Sequence, residues 1–438
     1  MAAAIAGVDR LSPDDLMALA GDHGTVPMQV GGVLWFGADG PRDDELTRHL
    51  AGRLPAAPRL RQVFRRPPWG CGRPVWTDDP RFTLADHLRA VRVPGPEQVD
   101  KVALDLLAAR LPQDRPLWAG RIVVGPDGSA LALVLVVHHV LADGLAALAL
   151  LATLADGPTP EQVAFPRPVP TRGTLLLDNL RGRLRGLAGF PAAAQQLAMA
   201  VRLLATGGRA PRTSLNRPTG TRRVLGTVAA DLADVRRGAH ERGGTVNDAA
   251  LAVASGALRA VLARRGEEVD ELVISVPFAY PLPGRTTGNA SAVMPLRLQA
   301  SGALATRVDA IAAITRAAKQ RPRAMSNALL RPGFGLLVRL GLFRRFLDSQ
   351  RLVNTLVTNV RGPAEPLSVA GRPVRRLVPL TSPTGNMTVV LAVVSYAGRL
   401  TITAIADAES MTDLDLLMAA LGSGLEELTG PSSEPSPA

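Results

Sequence analysis

Residues 130–155 decide most of what this chain can become. The run is mostly apolar and long enough to cross a bilayer. Yet His138, His139 and Asp143 stand near its middle, where burial in lipid is costly. Division resolves the conflict. Residues 131–137 (LALVLVV) are short and rich in β-branched side chains, the pattern of a buried strand. Residues 145–154 are rich in Ala and Leu, which favour helix. The stretch is therefore predicted as a strand, a polar turn and a helix inside a globular α/β protein.

Composition agrees with a sizeable core. Of 438 residues, 47% are apolar and 20% charged, ordinary values for a folded chain. At about 150 residues per domain, two or three domains are expected. Disorder is expected only in the Pro/Ser-rich residues 431–438. The single cysteine, Cys71, excludes an internal disulfide, and no Cys/His cluster has zinc spacing. No metal is expected. A reduced cytosol is the simplest home, since residues 1–8 are short for a signal peptide and lack a basic start. The net charge of +12 admits three readings. Nucleic-acid binding is disfavoured by 3% aromatic content and by the lack of a recognition motif. Attraction to an anionic lipid surface or a phosphate-rich acyl carrier, and plain enrichment in Arg, Ala, Gly and Pro, both stay open.

The chain divides into two α/β regions and a crossover. Residues 1–155 form the first region. Ser12 followed by Pro13 marks the start of a helix over 14–20. Residues 28–36 read as a strand, and 43–54 and 96–111 as helices. Residues 117–124 and 131–137 read as a hairpin through Pro126-Asp127-Gly128. Residues 156–214 form the linker. Its first part holds Pro158, Pro160, Pro166, Pro168 and Pro170, a density that enforces extended chain. Residues 174–205 read as a long helix. The second region, 215–430, has strands expected at 222–230, 272–277, 290–298, 355–360, 387–395 and 399–405, with helices at 246–264, 303–318 and 413–428. Two segments interleave basic and apolar residues: Leu180, Arg181, Arg183, Leu184, Arg185 and Leu187 in the first, and residues 321–346 in the second. Each is either a packed helix with a solvated Arg face or an interfacial membrane contact. Two α/β halves of similar size suggest a cleft between them.

The chemistry concentrates in residues 138–144 (HHVLADG). Side chains alternate across a strand, so His138 and His139 face opposite sides and only one enters a given cleft. A neutral imidazole suits proton abstraction near neutral pH. Asp143 lies close enough for a tight turn to bring its carboxylate back, and Gly144 removes a Cβ where the backbone turns. The structural alternative is equally concrete. Asp143 would be only an N-cap, and the histidines satisfied core residues. Two of the chain's six histidines stand here.

His138-His139-x-x-x-Asp143-Gly144 resembles the HHxxxDG motif of the acyltransferases that include chloramphenicol acetyltransferase and peptide-synthetase condensation domains. Other blocks narrow the resemblance to the bacterial wax ester synthase/diacylglycerol acyltransferase family. They are residues 11–15 (LSPDD), 27–32 (PMQVGG), 115–118 (RPLW), 246–248 (VND), 288–295 and 358–363 (TNVRGP). The resemblance spans residues 10–428. It departs at Arg361, where a proline is expected, and at Gln29, where many relatives carry histidine.

The resemblance implies an α/β fold with mixed sheets. Two chloramphenicol-acetyltransferase-like domains would enclose an active-site channel. Long-chain acyl-CoA would enter as co-substrate from one face, and diacylglycerol or a fatty alcohol from the other, with no cofactor. His139 would be the general base, His138 a support, Asp143 an orienting residue and Gly144 a turn former. Asn247 is the first candidate for an oxyanion or substrate-positioning donor, with Asp248 beside it and Asn359 the weaker choice. As alternatives, Asn247 would be a helix cap and Asn359 a turn former. Pro116, Leu117 and Trp118 would form a channel wall. No Gly-x-Ser-x-Gly elbow occurs, which argues against a hydrolase-type serine route. A peripheral place on the inner membrane face or on lipid bodies fits lipid substrates; no oligomeric state follows. Two other functions compete: acylation of a specialised metabolite or from a carrier-bound thioester, and lipid binding without catalysis.

Overall fold

The computed structural model describes residues 8–24, 27–142, 144–158, 164–188, 195, 209–279, 291–320 and 331–430. In the first half, α1 (Pro13–Gly21) precedes β1 (Gln29–Trp35), α2 (Asp43–Arg53), β2 (Gln62–Arg65), β3 (Val75–Asp78), β4 (Leu88–Arg92), α3 (Val99–Ala108), β5 (Trp118–Val124), β6 (Ala130–His138) and α4 (Gly144–Leu154). Helix α5 (Arg172–Ala188) follows the proline-rich crossover. The second half begins with β7 (Arg223–Asp231), α6 (Leu232–Glu241), α7 (Val246–Arg264), β8 (Glu271–Ala279), β9 (Ser291–Gln299) and α8 (Leu304–Gln320). It continues through α9 (Arg331–Arg339), α10 (Phe343–Ser349), β10 (Thr355–Arg361), β11 (Ser368–Val369), β12 (Arg372–Pro373), β13 (Arg376–Thr381), β14 (Val389–Tyr396), β15 (Arg399–Asp407) and α11 (Leu414–Thr429).

Two mixed sheets organise these elements. The first has the order β13-β1-β6-β5-β4, and the second β7-β15-β14-β10-β8-β9. Strands β4 and β5 are parallel, so the chain must cross over between them, and α3 makes that crossing. Strand β10 is parallel to both β8 and β14. The apolar stretch at residues 130–155 forms β6, a turn and α4, as its pattern predicts. Strands β2, β3, β4, β11, β12 and β13 and helix α6 escaped the sequence reading. Each is short, and β4 (LRAVR) is largely exposed, so no apolar alternation announces it.

The sheets share a core instead of standing apart. Helix α4 covers Leu133, Leu135 and Val137 on one face of β6. The opposite face, with Val134 and Val136, packs with Val33, Val378 and Leu380 against Val390 and Ile405 of the second sheet. Residues 215–430 are therefore not a closed domain. Strand β13 leaves them and pairs with β1 from Val30↔Thr381 to Trp35↔Arg376. Tyr396 pins the passing segment, donating its hydroxyl to Val374 O at 2.8 Å and accepting Leu367 N–H at 2.8 Å. Arg361 ends β10 opposite Ser395, so the departure from proline leaves the strand intact. Helix α7 is apolar enough to pass for a membrane span, but 67% of its apolar window is buried, and its alanines let α8 and α11 approach closely.

Within the proline-rich part of the crossover, Asp78 anchors Arg167. Arg167 donates its backbone N–H and Nε to Asp78 Oδ2 at 2.8 and 3.0 Å, and Nη2 to Oδ1 at 2.6 Å. The helix expected at 174–205 is seen as far as Ala188; residues 189–194, 196–208, 280–290, 321–330 and 431–438 lie outside the described residues.

Burial pushes the Asp78 carboxyl up, but Arg167 and the Gln62 amide outweigh it and hold it down to about 2, against an ordinary value of 3.8. A depressed carboxylate stabilises the fold above its unfolded pKa and ceases to do so as pH falls through its folded pKa. The contribution should be complete above about pH 4 and vanish toward pH 2. Asp78→Asn should cost about 1–2 kcal/mol at neutral pH, less than the shift alone implies because Arg167 is half exposed. Its stability should fall less steeply between pH 4 and 2 than that of the parent. Urea titrations at several pH values check both, and parallel acid limbs would remove the assignment.

Candidate active site

The end of β6 is fixed before its side chains are considered. Gln29 pairs with His138 in the β1–β6 register. His138 N donates to Leu117 O at 2.9 Å, and His139 N to Met28 O at 2.8 Å. Leu141 N closes a turn onto His138 O at 2.8 Å. The two histidines thus leave the strand under backbone control from β1 on one side and the start of β5 on the other.

Their environments differ. His138 is buried, and its Nδ1 accepts the Val140 N–H at 3.0 Å. An imidazole nitrogen that accepts carries no proton, so His138 is neutral with its hydrogen on Nε2. That Nε2 lies 3.5 Å from Asp22 Oδ2, too long and poorly aligned for a full hydrogen bond. Neither nitrogen of His138 is thus available as a base. His139 is partly exposed. Gly144 opens α4. Asp143 lies outside the described residues.

Asp22 was missed by the sequence reading. It follows α1 directly, and its side chain is 3% exposed. It accepts the Met28 N–H at 3.2 Å and the guanidinium of Arg110. Burial raises its carboxyl, but the His138 ring, the Met28 N–H and Arg110 together hold it below the ordinary carboxylate range. Gln29, noted only as a departure, is structural here. Its amide donates to Leu107 O at 2.7 Å and Ala109 O at 3.1 Å, and accepts the Leu111 N–H at 3.1 Å.

Pro116, Leu117 and Trp118 are all buried. Trp118 donates Nε1–H to Leu60 O at 2.8 Å. Its ring stacks on His87 with centroids 4.7 Å apart. His87 is buried, which lowers its pKa, and its Nδ1–H donates to Trp118 O at 2.8 Å. The other face of this block opens on a small apolar slot. Trp118, Leu135 and Val137 line it from the sheet, and Ala147, Leu151 and Leu154 from α4.

Two candidates from the second half come together. Asn359 on β10 donates Nδ2–H to Asn247 Oδ1 at 3.2 Å. Asn247 sits in the first turn of α7, and α4 packs against both β1 and β10. The helix that follows the histidines therefore bridges the two sheets. Asp248 is otherwise engaged. It accepts from Thr245 N and Oγ1 at 2.9 and 2.7 Å and from Thr315 Oγ1 at 2.7 Å, a capping box that starts α7. Cys71 is fully buried with Val75 and Leu175.

The chain is similar to known proteins in sequence and in fold. A model described as the wax ester synthase/diacylglycerol acyltransferase catalytic domain matches residues 11–250, and one described as the C-terminal domain of the same family matches residues 287–429. A protein of Mycobacterium tuberculosis named as a diacylglycerol O-acyltransferase is 30% identical over 414 residues, covering 89% of this chain and 88% of its own. A second such protein of that species is 29% identical over 447 residues, covering 93% and 88%. Among solved structures, the wax ester synthase/diacylglycerol acyltransferase from Marinobacter aquaeolei aligns with a TM-score of 0.68 at 22% identity, covering 96% of this chain and 98% of that one. The first condensation domain of the CDA synthetase aligns with a TM-score of 0.62 at 18% identity, covering 98% and 97%. These two likenesses establish the fold.

The seat of the histidines depends on close strand approach. A Cβ on Gly31 would stand 2.1 Å from Leu135 O, whereas one on Gly32 would meet nothing nearer than 3.5 Å. Gly31→Ala should therefore cost about 1–3 kcal/mol, and Gly32→Ala less than about 0.5 kcal/mol. Chemical denaturation of the two variants side by side tests this. Equal midpoints would mean that β1 and β6 tolerate a wider spacing.

Proposed function

The chain belongs to the wax ester synthase/diacylglycerol acyltransferase family, and on that premise we propose that it moves a long-chain acyl group from acyl-CoA to the hydroxyl of diacylglycerol or a long-chain fatty alcohol, with His139 as general base. The observation that carries the base assignment is the contrast within the histidine pair. His138 is buried and has its Nδ1 lone pair committed to Val140 N–H, while His139 keeps a partly exposed side chain at the same turn.

In this scheme His139 takes the hydroxyl proton as the oxygen attacks the thioester carbonyl. A tetrahedral oxyanion forms. Its collapse breaks the C–S bond, and the departing thiolate receives the proton from His139, leaving an ester and free CoA. General acid–base help of this kind contributes about 10²–10⁴ in rate. The Asn247–Asn359 pair is the proposed donor set for the oxyanion or for positioning the thioester. With Asn247 Oδ1 turned toward Asn359, its amide hydrogens are directed elsewhere, as an anion donor requires. The scheme uses no cofactor, because the thioester supplies the driving force.

The same reading extends to a lipid surface on the cytoplasmic side, either the inner membrane face or a lipid body. Helix α5 turns Leu176, Leu177, Leu180 and Leu184 outward, 41–58% exposed, beside exposed Arg181 and Arg183. Its opposite side is docked by buried Leu175 and by Asn179, whose amide donates to Gly70 O at 2.7 Å. Trp69, next to that glycine, is 96% exposed and follows exposed Arg65 and Arg66. An apolar stripe with Arg flanks and an adjacent Trp suits the boundary of an anionic bilayer. Leu336, Leu340 and Leu342 add a second exposed group on α9 and just beyond it, and α9 and α10 both pack on α1.

CoA release from palmitoyl-CoA with dioleoylglycerol or hexadecanol should fall by at least about a hundredfold in His139→Ala while circular dichroism stays unchanged. Full activity in that variant would remove the base. Resolution of products by thin-layer chromatography separates triacylglycerol from wax ester. Release only with a carrier-bound thioester would reassign the donor.

Trp69→Ala combined with Leu180→Asp should weaken flotation on phosphatidylglycerol vesicles by about tenfold or more. Turnover of detergent-dispersed acceptor should stay within about twofold, since neither residue lies at the chemical site. Unaltered flotation would place the lipid contact elsewhere.

A further inference from the structure

We infer that Asp22 is a positioning residue for the acyl transfer, setting the proton of His138 on Nε2 and, through Met28, the backbone of His139. The inference rests on the reading of His139 as the base. It concerns a residue that touches neither substrate nor the reacting atoms.

One carboxylate reaches both histidines. Oδ2 faces His138 Nε2 at 3.5 Å. Oδ1 accepts the Met28 N–H at 3.2 Å, and the Met28 carbonyl in turn accepts the His139 N–H at 2.8 Å. The carboxylate is itself fixed. Arg110 bonds to Oδ1 and also donates to Gly24 O at 3.1 Å. Gln29 clamps Leu107, Ala109 and Leu111, and so sets the backbone from which Arg110 extends.

The tautomer argument follows from donor counting. The Val140 N–H needs a lone pair on His138 Nδ1. The alternative tautomer would bring two N–H groups together there and turn the Nε2 lone pair toward a carboxylate. An imidazolium would also oppose two N–H groups at Nδ1. A negative charge at Asp22 favours the arrangement in which Nε2 carries the only ring proton. Desolvation makes that preference stronger, because both side chains are 3% exposed. The turn after β6 is closed by the same Nδ1 bond, so its loss would displace His139. Misplacing a catalytic group by about 1 Å can cost about 10²-fold in rate.

The test uses the full chain with ¹⁵N-labelled histidine. At neutral pH the His138 ring, identified by the signal missing in His138→Gln, should show the neutral Nε2–H pattern. Asp22→Asn cannot serve both neighbours: if its oxygen faces Met28 N–H, its NH₂ opposes His138 Nε2–H. This variant should lose at least about tenfold in kcat with KM for palmitoyl-CoA within about threefold, and its His138 signal should leave the Nε2–H pattern. Arg110→Gln, which keeps the carboxylate, should retain that pattern. A folded Asp22→Asn protein with parental kcat overturns the inference, and so does one that loses kcat with the His138 pattern unchanged. Should Asp22→Asn not fold, the parent decides: an Nδ1–H or doubly protonated His138 ends the inference. If His139→Ala instead keeps full turnover while His138 shows the Nε2–H pattern, the base assignment fails and the tautomer assignment stands.

Discussion

The hydrogen bond from the Val140 N–H to His138 Nδ1, 3.0 Å long, governs how this structure presents its chemistry. It uses the lone pair that would otherwise make His138 a base. It also bends the chain immediately after β6, in a turn that Leu141 N completes on His138 O. A buried imidazole is costly unless its polar atoms are engaged. Here one nitrogen is satisfied inside its own turn and the other faces a carboxylate. The neighbouring histidine, its backbone N–H bonded to Met28 O, stays partly exposed. Two adjacent residues of one type thereby acquire different surroundings.

That division depends on the union of the two halves. The face of β6 that ends at His138 packs on a core shared with the second sheet, through Val390 and Ile405. Strand β13 supplies the outer neighbour of β1, and β1 holds Gln29 opposite His138. The second half thus buttresses the strand that seats the histidines. It also brings β10 and its Asn359 to α4. The catalytic reading needs both halves for geometry, before any substrate enters between them.

Much of this was legible in the residues. The strand–turn–helix at 130–155 follows from apolar runs broken by His, His and Asp, and most long elements of both halves follow from period and caps. Asn247 and Asn359 were each marked without a sign that they would meet, since 112 positions separate them. Asp248 shows the opposite case. It looked like a site residue beside Asn247, yet its carboxylate is spent on Thr245 and Thr315. Asp22 could not be read at all. An acidic residue after a helix is ordinarily a solvated end, and only the approach of β6 and Arg110 buries it. The strand exchange of β13 was hidden for a similar reason. Its six residues (RLVPLT) were not read as a strand, and nothing in them names β1 as a partner.

The exposed leucines of α5 then acquire a place in the same design. Arg10 binds Asp178 of α5 at 2.6 Å and Leu175 O at 2.9 Å, and α1 begins three residues later. The far end of α1 leads directly to Asp22, while its flank carries α9 and α10. The two apolar surfaces proposed to meet lipid are therefore connected through one short helix to the carboxylate that faces His138. Helix α1 is only partly buried, with Asp15, Ala18 and Gly21 facing inward. Any displacement of α5 or α10 on a membrane would have to be absorbed either by the Arg10 contacts or by α1 itself. The capping box of Ser12 and Asp15 and the Asp22–Arg110 pair brace α1 at both ends. The arrangement consequently favours a lipid-facing side that can dock without disturbing the histidines.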